Sequence, residues 1–592
     1  MESLICLCIL LHAVILRNIL YIKCQELGNF AKLPFIRPLE DTNHVILRWQ
    51  YTETDIMFEV SMPTLGIVGL GIIRDRENAS MFPADIALGW VQDGLVYLAD
   101  YHIKEDGTLI VDDSQNWMLI SGFENRKGTT LRMQRKLDTC DIDDEIITEG
   151  TVNLLYAYSM NDIDDFFKPI EFPFPEMGSK RLVLLGSSMP PEILADDTTT
   201  MDFVHNNFEF PFTSDTSYGC TAFHVPRDQF GGKYHAIKFE AVFDSEHEKL
   251  IHHQFLLGCK LPDGLEPNRF HGETFQCAEQ LNFLLRYCGY VIFSWGIGME
   301  PFFYPEHMGV SFGGPNDPEL FILQSHYHIP TDGQSTDDRD DSSGIRITLT
   351  RKLRHYDAGT LHVGHMPSPN HLIPPGEPNF FTSADCPNRC IDWGLGSNGT
   401  IQIAAVFIHT HERGTSVKVK VIRNGIELPW LAYDKNYSFR HQYTRLLTPE
   451  FTLQKGDSIR VECTYNTTAD NVVIMGGYRR NAEMCISTLI YYPRKSLDTC
   501  LSWPLHDQLR NRLNHSIPPQ YALNFLSTVN WRNDLTMRRN FRIALNMSSQ
   551  TSLCTSLDLP ERVISHTFRP VLIRWPYEPP YTCIDPLLLT PR

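Results

Sequence analysis

The chain has 592 residues, of which 42% are hydrophobic and 21% charged, a composition typical of folded globular proteins. This length exceeds what one hydrophobic core supports and predicts roughly three to four domains. The formal net charge of -19 argues against nucleic acid as a partner, and the sequence contains no basic patch with interleaved aromatic residues.

An apolar run over residues 4–20 opens the chain. We interpret residues 1–24 as a secretory signal peptide, although Glu2 has the wrong charge for the start of one. An uncleaved signal anchor is the alternative, in which Arg17 would lie unfavourably within the bilayer. No other run approaches the length of a membrane span, so we expect membrane attachment only through this segment.

Three β-rich blocks follow, with proline-rich connectors over residues 166–175 and 367–378. The first block begins with short β-type runs, for example residues 44–49 and 56–60, and its turn signals favour a β-sandwich. We place the domains at residues 43–160, 195–355 and 380–495. We interpret residues 496–592 as a C-terminal tail with short helical possibilities, for instance at residues 509–513. Residues 331–344 are acidic and polar, which predicts an exposed loop.

Acidic residues in the first block could bind a hard cation. The candidates are Asp100, Asp112 and Asp113. Loop acids are more often simply solvated, and we predict that state here.

Twelve cysteines lie beyond residue 24, and an even number over three quarters of the chain fits six disulfides in an oxidising compartment. Sequons for N-glycosylation point to the same compartment. They begin at Asn78, Asn398, Asn436, Asn466, Asn514 and Asn546.

His409 and His411 follow an apolar, β-type run, and on a strand residues two apart share a face. Such a pair can bind a metal ion, or one histidine can be a surface residue and the other a core residue. His252 and His253 are adjacent and would point to opposite faces of a regular strand. Joint binding of one ion therefore requires a bulge or a strand end there.

His326 and His328 form a third cluster, and Met484 supplies a thioether, although on its own it fits a core residue. Imidazoles with one soft sulfur in a disulfide-rich β protein suggest copper rather than zinc, which more often binds carboxylates or thiolates. A blue-copper electron carrier is excluded because Cys485 has no histidine shortly after it.

In these motifs the chain resembles the copper type II ascorbate-dependent monooxygenases, and within them the dopamine β-hydroxylase-like branch with an N-terminal DOMON domain. The matching words run in order from Gly89-Trp90-Val91 and Leu137-Asp138-Thr139-Cys140 through His252-His253, His326-Tyr327-His328, His409-Thr410-His411 and Glu483-Met484-Cys485 to Tyr491-Tyr492-Pro493. The resemblance implies an all-β chain: a DOMON β-sandwich, two jelly-roll-like β-sandwich copper domains and a disulfide-tethered tail.

The resemblance also implies two copper ions per subunit. His252, His253 and His326 would hold the electron-donating copper, and His409, His411 and Met484 the oxygen-binding copper, with His328 only a neighbour. His409 would thereby take part in catalysis. Tyr218 takes the place of an active-site tyrosine of the family, but a core tyrosine beside a disulfide is an equally good interpretation.

Six disulfides are implied in the same way, and no covalent dimer is expected because the cysteines that link subunits in some relatives are missing around residues 505–521. The implied pairs are Cys140–Cys583, Cys220–Cys277, Cys259–Cys288, Cys386–Cys500, Cys390–Cys554 and Cys463–Cys485.

Two positions depart from the family patterns. Gln254 replaces a methionine that is not a ligand. Phe407 stands where the peptide-amidating branch has an arginine that binds a substrate carboxylate, and an aromatic group there favours a small apolar or aromatic substrate.

The resemblance implies hydroxylation of a C–H bond with O2 and with ascorbate as electron donor. The substrate would be a small molecule, for example a catecholamine or phenylethylamine, in the secretory pathway (secreted, or in the lumen of the endoplasmic reticulum or a vesicle). The alternatives are a non-catalytic secreted copper-binding protein and a peptide-amidating hydroxylase.

Overall fold

The structure is a computed structural model, and its description covers most of the chain. The described residues are 20–23, 32–40, 42, 44–74, 81–161, 172–186, 197–209, 216–244, 250–277, 287–328, 340–397, 399–479, 481–505, 529–531, 534–556, 564–579 and 583. They divide into two compact units, residues 1–185 with 580–592 and residues 186–579.

The first unit contains two antiparallel sheets. Its strands are β1 (Leu20–Lys23), β2 (Phe35–Pro38), β3 (Ile46–Tyr51), β4 (Asp55–Met62), β5 (Val68–Ile73), β6 (Ala84–Gln92), β7 (Leu95–Ile103), β8 (Leu109–Val111), β9 (Met118–Asn125), β10 (Gly128–Lys136), β11 (Thr151–Tyr158) and β12 (Glu176–Val183). One sheet has the order β1-β7-β6-β5-β11-β12 with β8 beside β7, and the other has the order β2-β3-β4-β10-β9.

The alternation of buried and partly exposed side chains explains why these segments form sheets. In β4 every second residue is buried, because one face of the strand packs into the core and the other meets solvent. Trp49 and Phe58 lie in that core, which confirms the two β-type runs predicted first. Strand β12 lies beyond residue 160 and pairs with β11, so the first unit continues past that residue.

The prediction that the acids of this unit are solvated is wrong for two of the three. Asp100 is 0% exposed and Asp112 is 2% exposed, whereas Asp113 is exposed. Asp100 is buried beside Asp85, whose carboxylate forms an ion pair with the buried Arg135. Polar donors, including the backbone N–H of Asn116 at 2.9 Å from Asp100, make this burial possible.

The N-terminal half of the second unit is also built from strands. They are β13 (Thr198–Val204), β14 (Phe208–Glu209), β15 (Thr216–His224), β16 (Tyr234–Val242), β17 (Ile251–Cys259), β18 (Thr274–Gln276), β19 (Tyr290–Gly296), β20 (Phe302–Phe303), β21 (Met308–Phe312), β22 (Leu320–His328), β23 (Asp340–Asp341), β24 (Gly344–Thr350) and β25 (Tyr356–Asp357), with 3-10 turns at Arg227–Phe230 and Pro267–Phe270. The sheet β18-β15-β22-β17-β19 carries the histidines, and the sheet β13-β24-β16-β21-β25, with β20 beside β16, is its partner in the core.

The C-terminal half repeats this plan. Its elements are β26 (Gly359–His365), β27 (Leu372–Ile373), β28 (Phe380–Cys386), α1 (Asn388–Leu395), β29 (Thr400–His409), β30 (Gly414–Arg423), β31 (Ile426–Glu427), β32 (Ala432–Asp434), β33 (Thr444–Gln454), β34 (Asp457–Tyr465), β35 (Ile474–Met475), β36 (Ile486–Tyr492), β37 (Thr499–Pro504), α2 (Leu535–Met547), β38 (Gln550–Thr555) and β39 (Ile564–Phe568). The larger sheet runs β33-β29-β36-β26-β37-β38-β39, and the smaller runs β28-β34-β30-β31 with β32 beside β30.

The segment that we interpreted as a tail contributes three strands, β37 to β39, to the larger sheet. Two disulfides, Cys386–Cys500 and Cys390–Cys554, tie it to β28 and α1. The other four are Cys140–Cys583, Cys220–Cys277, Cys259–Cys288 and Cys463–Cys485, so the structure contains the same six pairs that the resemblance implies.

Several predictions fall on residues outside the description. They concern the segment 1–19, Asn78, Asn398, Asn514, the possible helix at 509–513 and most of the loop 331–344. Across the described part of the chain, no helix combines the length and the apolar character that crossing a membrane requires.

Candidate metal centre

His252 and His253 lie at the start of β17, and the pairing of β17 with β22 shifts register between Ile251 and His253. This is the irregularity that two adjacent histidines need in order to face one site. His253 lies directly opposite His326 on β22. The ring centroids of His252 and His253 are 5.2 Å and 4.8 Å from that of His326.

His409 is the last residue of β29, and His411 lies just beyond the strand. We predicted a strand that continues through both. The strand ends because the Glu483 carboxylate accepts the backbone N–H groups of His411 and Arg413, each at 2.9 Å, in place of a neighbouring strand. The two imidazoles are consequently nearly perpendicular, at 83°, with centroids 5.3 Å apart.

The hydrogen bonds of His409 and His411 determine their tautomers. Gln442 donates through Nε2 to the carbonyl of Phe439 at 2.8 Å, so its Oε1 accepts from Nδ1 of His409 at 2.7 Å. The carbonyl of Ala482 can only accept, and Nδ1 of His411 donates to it at 2.9 Å. Both Nε2 atoms therefore carry lone pairs, and both are buried without a hydrogen-bond partner.

Imidazoles from both halves of this unit converge at one place. One nitrogen each of His253, His409 and His411 lies within 4.8 Å of the other two. The His326 ring is 6.2 Å from that of His411. Phe439 packs edge-on against His252, with centroids 4.9 Å apart, and covers this side of the cluster.

Burial keeps this cluster neutral. Desolvation, reinforced by the neighbouring imidazoles, holds the pKa of His253 well below its usual value and lowers the pKa of His409 to about 3. Desolvation likewise lowers the pKa of His411 to about 4. Neutral imidazoles are the form that binds metal ions, so the site needs no proton release to accept one.

Met484 is buried, and its backbone is linked to that of His411 through Glu483. Its backbone N–H donates to the Glu483 carboxylate at 3.2 Å, the same group that binds the backbone of His411. Its carbonyl accepts from the hydroxyl of Tyr465 at 2.9 Å. Burial raises the pKa of Glu483 to about 7, against the lowering effect of the N–H groups that it accepts.

Tyr218 packs both in the core and against a candidate ligand, and its catalytic role stays a prediction. It belongs to the apolar cluster around the disulfide Cys220–Cys277, and its ring also lies parallel to that of His326 at 4.2 Å. Its hydroxyl donates to the carbonyl of Tyr478 in the C-terminal half. Phe407 is 4% exposed and packs in the apolar core shared by the two halves.

Two residues at the site carry no sequence signal. Gln442 and Phe439 belong to no motif, and only the tertiary fold brings them to the imidazoles. Gln254, which replaces the family's methionine, is buried on the opposite face and donates to Ser325 Oγ at 3.1 Å.

Among the described sequons, the amide oxygen of Asn466 accepts from Thr468 N at 3.0 Å, and Asn436 and Asn546 are partly buried.

Comparison with known proteins gives three family matches along the chain. Residues 41–159 match the DOMON domain, residues 201–334 the N-terminal domain of copper type II ascorbate-dependent monooxygenases, and residues 356–512 the C-terminal domain. The chain is 34% identical to a chicken protein named DBH-like monooxygenase protein 1 over 80% of this chain and 75% of that protein. It is 31% identical to human dopamine beta-hydroxylase, covering 80% and 75%, and 30% identical to mouse DBH-like monooxygenase protein 2, covering 93% and 87%.

Proposed function

Because the chain belongs to the copper type II ascorbate-dependent monooxygenase family, we propose that it hydroxylates a C–H bond of a small aromatic or amine substrate. O2 is the co-substrate and ascorbate the electron donor. The single observation that carries this proposal is the buried cluster of imidazoles, in which the Nε2 atoms of His409 and His411 have no protein partner.

The donor set fits copper. Five imidazoles and one thioether suit a metal that alternates between oxidation states, since thioethers favour Cu(I). We assign one ion to His252, His253 and His326 and a second to His409, His411 and Met484. Bound copper would supply the one-electron transfers and the activation of dioxygen.

The protein supplies orientation and a dry site. Gln442 and the carbonyl of Ala482 fix the rings of His409 and His411 with Nε2 toward the cluster. Phe439 covers the imidazoles, and the low exposure of all of them limits access of water. Tyr218 positions the ring of His326 by stacking on it.

The substrate class rests on Phe407. A substrate carboxylate would need a cationic partner, and a charged group at this buried position would be strongly destabilised without one. An apolar, aromatic neighbourhood instead suits a phenylethylamine or a similar small molecule. Peptide amidation is therefore disfavoured.

The test measures copper stoichiometry and ascorbate-dependent O2 uptake with phenylethylamines. We expect two ions per chain and uptake coupled to substrate hydroxylation. Met484→Ala should abolish uptake, while Met475→Ala, which removes an exposed methionine of the same domain, should leave it intact. Copper binding without uptake across a broad substrate panel would instead identify a non-catalytic copper-binding protein. Glyoxylate release from a glycine-extended peptide would identify an amidating enzyme.

We also propose that the protein works in the secretory pathway, secreted or in a vesicle or endoplasmic reticulum lumen. Six disulfides support this proposal because they persist in oxidising compartments. The test is mass spectrometry of the protein from whole cells and from culture medium under non-reducing conditions. Free thiols throughout would contradict it.

A further inference from the structure

His205 is a buried histidine that belongs to neither of the two assigned copper sites. It directly follows β13 and is 2% exposed. Its Nδ1 is 2.7 Å from Oγ1 of Thr221 on β15, and its Nε2 is 2.8 Å from Oγ of Ser325 on β22. The ring therefore bridges two adjacent strands of the sheet that carries the candidate ligands of the N-terminal half.

Two more side chains extend this bridge into a hydrogen-bonded row across four strands. Gln254 on β17 donates through Nε2 to Oγ of Ser325 at 3.1 Å, and Oγ1 of Thr274 on β18 is 3.1 Å from that of Thr221. With Gln254 as the donor at one end, the hydroxyl proton of Ser325 goes to Nε2 of His205, and Nδ1–H of His205 donates to Thr221. This direction gives each of these donors an acceptor.

The row lies directly behind two candidate ligands. Gln254 pairs with Ser325 across β17 and β22, and the adjacent pair on these strands is His253 with His326. Neighbouring residues of a strand point to opposite faces of the sheet. The amide and the hydroxyl therefore lie on one face and the two imidazoles on the other, so the row holds the two strands together where they present the ligands.

Strand β17 is irregular at this place. Its pairing with β22 shifts register between Ile251 and His253, which lets His252 and His253 face one site. A slip of the pairing by one residue would turn the following side chains to the opposite face. It would also separate Gln254 from Ser325 and leave buried polar groups without partners, which is costly. The row therefore disfavours the wrong register.

We propose that His205 is a positioning residue for the first copper triad, which consists of His252, His253 and His326. Through Ser325 and Gln254 it holds β17 and β22 in the register that directs the three imidazoles to one ion. The inference rests on the proposed function for the identity of the ion, whereas the hydrogen-bonded row does not. Gln254 stands where the family has a methionine, and a thioether cannot donate a hydrogen bond, so the end of the row is a departure from the family pattern.

Two substitutions of His205 separate its two hydrogen bonds. The amide of a glutamine reaches the place of Nε2, so His205→Gln should retain the bond to Ser325. The shorter His205→Asn brings its amide only to the place of Nδ1 and should lose that bond. Ser325→Ala removes the same bond from the other side. His235→Asn is the matched control, because His235 is 1% exposed, lies on the partner sheet of the same half and has Nε2 2.8 Å from Asp357.

The experiment is a Cu(I) titration of the full-length chain in competition with a chelator, in two backgrounds. His411→Ala leaves only the first triad complete, and His326→Ala leaves only the second triad, which consists of His409, His411 and Met484. We expect His205→Asn and Ser325→Ala to weaken binding at the first triad by roughly tenfold or more and at the second by less than about twofold. His205→Gln should keep the affinity of the first triad within about threefold of the parent.

Hydrogen exchange of the apo chain gives a second measurement that needs no metal. Backbone amides of residues 251–255 and 324–327 should exchange faster in His205→Asn and Ser325→Ala than in the parent. His235→Asn should change neither copper affinity nor this exchange. Both histidine-to-asparagine variants lose one buried hydrogen bond, so a loss of stability alone would affect them equally.

Three results would overturn the proposal. They are unchanged affinity of the first triad in His205→Asn, equal weakening of both triads, and equal weakening by His205→Gln and His205→Asn. Failure of the proposed function looks different, because the parent itself would then bind no copper at the first triad. Hydrogen exchange would in that case decide about His205, and no difference between His205→Asn and His235→Asn would refute its positioning role as well.

Discussion

Tyr218 lies flat on the imidazole of His326, with centroids 4.2 Å apart and planes 5° from parallel, and its hydroxyl reaches across to the carbonyl of Tyr478. One side chain thus orients a candidate ligand in one half of the unit and bonds the backbone of the other half. The two contacts can be separated by substitution.

Tyr218→Phe should retain the stacking and lose the hydrogen bond to Tyr478. We expect the free energy of unfolding to fall by about 1 kcal/mol and O2 uptake to fall by less than about tenfold. Tyr218→Ala should remove both contacts and destabilise by about 3 kcal/mol. Denaturant unfolding and oxygen-electrode assays measure these values. Equal loss of activity in both variants would show that the hydroxyl, and not the stacking, is required.

Gln442→Ala should leave Nδ1 of His409 without its acceptor, so that the His409 proton is no longer held on Nδ1. We expect copper affinity to fall by roughly 10- to 100-fold, as is typical when a partner of a metal-binding histidine is lost. Gln402→Ala, on the same strand as His409, is the control, since the side-chain oxygen of Gln402 accepts from the hydroxyl of Thr452 and not from a histidine. Competition titrations that show no difference between the two variants would refute this role for Gln442.

Gly414→Ala should disturb the metal centre through Thr410. A Cβ at Gly414 would overlap the side chain of Thr410, which lies between His409 and His411 in the chain. We expect weaker copper binding, roughly tenfold or more, together with destabilisation of 1–3 kcal/mol, an order of magnitude typical of overpacking. Gly289→Ala, where the new methyl group meets open space, should change neither quantity. Unaltered binding in Gly414→Ala would mean that Thr410 moves without shifting the histidines.

The first unit should be less stable in alkaline than in mildly acidic solution. Burial, with further contributions from Asp85 and Asp144, raises the pKa of Asp100 to about 9, and burial raises the pKa of Asp112 to about 6. The unfolded pKa is about 4, so between these values the folded state holds protons that the unfolded chain releases. This stabilisation is complete below about pH 4 and is lost as the pH rises through the folded values.

Asp100→Asn should remove most of this dependence and stabilise the unit at pH 8, by an amount on the order of a few kcal/mol. Asp113→Asn is the matched control, because Asp113 is exposed and adjacent to Asp112. Unfolding of the full chain followed by hydrogen exchange within strands β6 and β7 at pH 5 and pH 8 measures the effect. Stability that increases with pH in the parent would contradict the prediction.

The sequence pointed to the histidines as candidate metal ligands because their spacing within β-type runs is local information. It also indicated that His252 and His253 need an irregular strand, and the bulge before His253 is that irregularity. The end of β29 at His409 was not predictable, since it depends on Glu483, more than 70 residues away. Gln442 was not predicted as a site residue, because only the tertiary fold brings it to His409. Asp100 was misjudged because its burial depends on Asp85 and Arg135, which nothing near Asp100 in the sequence reveals.

The disulfide between Cys140 and Cys583 links two residues of the first unit that are 443 positions apart in the sequence. A protease that cuts once anywhere between these cysteines produces two fragments that still migrate as one species until reductant is added. A truncated transcript that stops upstream of residue 583 encodes a protein with an odd thiol at Cys140. In an oxidising lumen that thiol would capture another cysteine, so such an isoform would emerge as mixed disulfides rather than as a shorter monomer.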